Sequence, residues 1–62
     1  MTRAWLLAQV QLGRLMARED VAAQDAQEVK TWLKAAMEKD PDGLGAAMLV
    51  QSAREYLLPM KV

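Results

Sequence analysis

From Trp5 to Ala36, apolar residues return in alternating steps of three and four, and only Glu19 interrupts the series. The positions are Trp5, Ala8, Leu12, Leu15, Glu19, Ala22, Ala26, Val29, Leu33 and Ala36. Side chains spaced in this way line one side of a helix wound at about 3.5 residues per turn, the seam of a coiled-coil-like element. A helix carrying such a seam has to be buried against something.

The seam keeps its phase through residues 15–22, and neither Gly nor Pro occurs between Arg14 and Lys39. The spacing therefore predicts one long helix over about residues 3–39, with Thr2 as its N-cap. Gly13 is its weak point, costing ~1 kcal/mol relative to Ala. The alternative is a break near residues 18–20, in which Arg18-Glu19-Asp20 forms a tight turn and Asp20 caps a fresh helix. Asp25 and Glu28 also resemble a capping box. Either break would turn the long element into two and give three helices in all.

The clear punctuation is Asp40-Pro41-Asp42-Gly43. Asp40 offers an N-cap oxygen, and Pro41 suits a first helical position, where its missing N–H is not needed. A second helix over about residues 42–58 follows, ended by Pro59, with a short frayed tail at residues 60–62. Its apolar face is Ala46, Leu49, Val50, Ala53, Tyr56 and Leu57. Strands are not expected, because Ile and Phe are absent and strong helix formers dominate. The fold class is all-α: a long helix and a shorter antiparallel one in a single domain over residues 1–62, a helical hairpin assembling as a dimeric bundle.

A chain this short has little interior of its own. A chain of 62 residues buries only ~60% of the surface that its unfolded form exposes. There is no Cys for a disulfide, and without Cys and His a structural zinc site lacks its usual ligands. The two helices would also be mismatched, at roughly 55 Å and roughly 25 Å. The shorter one would cover only the part near Ala22 to Ala36. That leaves the Trp5–Met16 half without a partner in its own chain, although a second stripe, Leu6, Val10, Gly13, Ala17 and Val21, makes it apolar on two sides. The expected remedy is a homodimer, with Trp5, Leu6, Val10, Leu12, Leu15, Met16 and Trp32 at the dimer or partner interface.

Chemistry is hard to find in the composition. The carboxylates are spread without a convergent pair, and Gly43-Leu44-Gly45 reads as a turn with no strand before it and no Lys placed to hold phosphate. No catalytic, metal-binding or cofactor-binding residue is assigned, and no cofactor is expected. Eight basic and eight acidic residues balance, so no global field draws the chain to nucleic acid or to an anionic membrane. No run reaches the ~20 apolar residues of a spanning helix, nor the length of a secretory signal.

The expected function is therefore a small cytoplasmic protein-protein interaction module, a regulator, adaptor, inhibitor or accessory subunit of the kind made by bacteria and phages. It would dock a helical surface on a partner protein whose identity the residues do not give. A small dimeric helix-turn-helix-like DNA-binding regulator is the alternative. Its would-be recognition helix carries Arg54 as its only cation before Lys61, whereas phosphate neutralisation calls for several.

Overall fold

The computed structural model describes residues 2–58, which are helical throughout apart from their connections. Three helices follow in order: α1 (Arg3–Met16), α2 (Ala23–Lys39) and α3 (Ala46–Leu57). The expectations for Pro59 and for residues 60–62 fall outside the described residues.

The continuous helix over residues 3–39 is thus corrected to two helices, the alternative that the sequence left open. The chain leaves α1 through residues 17–22, where the Ala17 N–H donates to the Gly13 carbonyl at 3.1 Å and the Val21 N–H to that of Arg18 at 3.2 Å. The Arg18 guanidinium grips the Asp20 carboxylate at 3.1 and 3.0 Å across this turn. Asp20 does not cap the next helix, since Ala22 holds the N-cap position with no side-chain hydrogen bond. Asp25 lies in the first turn of α2, where a negative charge suits the positive helix end, rather than closing a capping box.

The physical reason for the break is burial. A straight rod would hold Glu19 in the seam and leave the apolar half of α1 wet. Breaking it exposes Glu19 in a loop and lets the chain fold back on itself. The longest dimension of the molecule is 35 Å, well short of the roughly 55 Å that a continuous helix would span.

The second junction is organised by Asp40. Its own N–H ends α2 by donating to the Ala36 carbonyl at 2.9 Å. Its carboxylate accepts from the amides of Leu44 at 3.2 Å and Gly45 at 2.7 Å. Its carbonyl accepts from Gly43 N–H and from the Trp5 indole N–H. The last helix consequently starts at Ala46 rather than near Pro41 or Asp42, because Asp40 caps a turn-rich loop instead of a helix. Gly43 is obligatory here on two counts. Its φ is +77°, and a Cβ on it would stand 2.7 Å from the Cβ of Ala4.

These junctions build one core from all three helices. Trp5, Ala8 and Leu12 of α1, Val29 of α2, and Ala46, Val50, Ala53 and Leu57 of α3 are buried, with no buried polar residue among them. Ala8, Ala46 and Ala53 are small enough to bring α1 and α3 close together. The two run in the same direction: Gly43, before α3, meets Ala4 near the start of α1, and Arg54 shares a concavity with Arg14 at their far ends. Helix α2 lies along one flank in the opposite sense. Tyr56, late in α3, reaches Asp25, early in α2, while Gln9 of α1 reaches Met37, late in α2. The Trp5, Ala8 and Leu12 face of α1 is therefore sheltered inside a single chain, which corrects the inference that this half of the seam lacks an internal partner.

Candidate functional site

The candidate interface residues divide by helix face. Trp5 and Leu12 are 2% and 0% exposed and belong to the core. Leu15, Met16 and Trp32 are half-buried and pack against that core. Leu6 and Val10 are each 52% exposed. The last two lie with Gly13 and Ala17 on the outer side, so the first four residues of the second stripe read in the sequence are left in solvent, while Val21 packs against the core. Apart from the backbone of α1 itself, no described residue stands within 4 Å of where a Cβ on Gly13 would be.

Trp32 owes its half-buried place to α3. Its ring meets that of Tyr56 with centroids 4.8 Å apart and planes tilted by 54°, a favourable aromatic geometry. The Tyr56 hydroxyl donates to Asp25 at 3.3 Å. Partial desolvation, the negative charge of Asp25, the hydrogen bond to it and the charge of Glu28 together hold the Tyr56 phenol above its ordinary value. Gln9 ties α1 to α2 through its amide, 3.2 Å from the Met37 thioether sulfur.

On the flank of α1 and α3 that faces away from α2, two concavities run end to end. The first, of about 240 Å³, is lined by Ala4, Leu7, Gln11, Leu44, Ala47 and Val50 among others. The second, of about 460 Å³, is lined by Gln11, Arg14, Leu15, Arg18, Arg54 and Leu58. Gln11 borders both, and no residue of α2 lines either. One end of this groove is apolar and the other carries three guanidinium groups. Arg18 is already paired with Asp20 at 3.0 Å. The hydrogen bonds that Arg18 donates to Asp20, then the charge of that carboxylate, raise the Arg18 pKa further.

Sequence reasoning missed Leu44 and the arginine end of the groove. Leu44, at 89% exposed, was hidden in what reads as a turn. Arg14 and Arg54 sit in the last turns of α1 and α3, and only the parallel course of those helices brings them to one place. The signal available was weak: every charge before Glu19 is an arginine. Among the described residues, no group of three or more His, Cys, Asp or Glu side chains is arranged to hold a metal ion. No helix among them is long and apolar enough to cross a membrane. Comparison with protein-family models, curated proteins and solved structures gives no match for this chain.

Proposed function

We propose that the protein is a non-enzymatic protein-protein interaction module that works as a homodimer and acts by occupancy, docking a helical surface on a partner protein to block or stabilise one of its states. One observation carries this reading. The core is closed within the chain, yet Leu6 and Val10 stay 52% exposed on the outer side of α1. Apolar side chains grouped on a helix face beyond the needs of the core are a common mark of an interaction surface.

A second copy suits the outer face of α1 through its own chemistry. Pairing two α1 helices antiparallel about Val10 sets Leu6 of one copy beside the open backbone at Gly13 and the stem of Arg14 of the other. The two Arg14 side chains then stay roughly 12 Å apart along the axis, beyond the ~8 Å screening length at physiological salt. A neighbour of opposite sense also aligns the helix dipoles favourably.

The chain has no Cys, so a single introduced one reports on this face. Val10→Cys is expected to give a disulfide-linked dimer under mild oxidation, whereas Gln27→Cys, on the exposed side of α2, is expected to remain monomeric on a non-reducing gel. Equal crosslinking of the two, or none from Val10→Cys, contradicts the pairing.

A further inference from the structure

The groove between α1 and α3 has the shape and charge of a site for one more helix. We infer that it takes an amphipathic helix of another protein, antiparallel to α1 and α3, with carboxylates clustered in its first turns and apolar side chains in its last. This rests on the reading of the protein as an interaction module and names the partner's chemistry.

Three observations lead there. First, α2 covers one flank of the α1 and α3 pair, while the other flank is open and lined at one end by Leu7, Leu44 and Ala47. Leu7 and Leu44 are 56% and 89% exposed. A helix laid there, antiparallel to both, would match α2 on the opposite flank of the parallel α1 and α3 pair.

Second, Arg14, Arg18 and Arg54 reach one concavity from three different elements. Their positions near helix ends account for their sign, since cations suit the negative helix termini. Asp20 pairs with Arg18 at 3.0 Å, and no ion pair to Arg14 or Arg54 is formed among the described residues. An incoming helix of antiparallel sense would place its N-terminus at these arginines. Carboxylates in its first turns would then stabilise their own helix and meet the guanidinium groups together. From Ala4 to Arg18 the groove spans roughly 21 Å, the length of a helix of about fourteen residues.

Third, the chain's own exposed surfaces do not match. The outer side of α1 has no acid; the exposed side of α2, which bears Glu28 and Glu38 beside Lys30 and Lys34, has no large apolar side chain; and α3 carries its exposed Met48 early and Glu55 late, the reverse of the order required. The occupant is therefore not a second copy. A nucleic-acid backbone would use the arginines but would leave the Leu7 and Leu44 end unexplained.

The probe is a fluorescent synthetic Ala-based helix of about fourteen residues, with Glu confined to its first turns and Leu at three-four spacing after them, titrated against the full-length protein. Its isomer has the same composition with the Glu residues moved to the other end. The first peptide is expected to bind, and the isomer to bind about tenfold more weakly. Arg14→Glu/Arg54→Glu and, separately, Leu44→Asp are each expected to weaken the first peptide by about tenfold or more. Circular dichroism should show both variants to be folded, since all three side chains are exposed.

Equal binding of the two peptides, no binding of either, or binding that survives the arginine reversal overturns the proposal. So does retention of random duplex DNA that is lost in Arg14→Glu/Arg54→Glu and untouched by Leu44→Asp, which assigns the arginines to phosphate. Sedimentation of the same samples separates the two levels of the reading. A protein that dimerises through α1 without binding the peptide loses the groove proposal alone, and a peptide-binding monomer loses the dimer alone.

Discussion

Trp5 and Leu12 on one side of α1 are 2% and 0% exposed, whereas Leu6 and Val10 on the other side are each 52% exposed, although both pairs are large apolar residues at helical spacing. The difference arises outside α1. The inner side faces a helix whose alanines permit close approach and an Asp40 carbonyl that satisfies the Trp5 indole. Among the described residues, no other element covers the outer side. Apolar patterning thus specifies which positions want burial, while the rest of the chain decides which of them it can serve.

That contrast predicts a ranked set of effects. Trp5→Ala should be the most damaging, at ~3–5 kcal/mol, with Leu12→Ala next at ~2–5 kcal/mol, both read by chemical denaturation. If either costs no more than an ordinary surface change, the inner side is not the core. Gly43→Ala follows at ~1–3 kcal/mol, because a side chain at a φ of +77° is strained. The added methyl would also collide with Ala4 on α1, and a neutral result would mean that the start of α1 is not held against that loop.

On the outer side the expectation reverses. Leu6→Glu/Val10→Glu should leave the folded monomer within about 0.5 kcal/mol of the parent, as for surface changes generally, while abolishing the concentration dependence of thermal melting that a dimer imparts. Loss of the fold itself would mean that the two sides are not distinct. The smallest effect concerns α2. The Tyr56 phenol is raised above 10.0 in the folded state, so its contribution is fully present below the unfolded value and is lost as pH rises through the folded one. A melting series across that range should show the loss in the parent and not in Tyr56→Phe.

The inner stripe Trp5, Ala8, Leu12 and the α3 face Ala46, Val50, Ala53, Leu57 were legible because each repeats at helical spacing between recognisable stops. The position of the second junction was legible from Asp40 to Gly43, although its detail was not. An aspartate before a proline reads as a helix N-cap, and its actual use by the Leu44 and Gly45 amides depends on a loop path set by contacts with α1. The break over residues 17–22 was harder. Leu15 and Ala22 keep seam spacing across it and no Gly or Pro marks it, so local pattern favoured continuity while the gain from folding back favoured the turn. Of the candidate surface, Leu6 and Val10 were visible as a second stripe. Arg14 and Arg54 are forty residues apart and became one feature only once α1 and α3 were seen to run in parallel.

The most direct test of the proposed assembly is sedimentation equilibrium of the full-length protein and of Leu6→Glu/Val10→Glu, from low micromolar to several hundred micromolar. The parent is expected to form a reversible dimer and the variant a folded monomer over the same range. A parent that stays monomeric throughout, or a variant that dimerises as well as the parent, would contradict it.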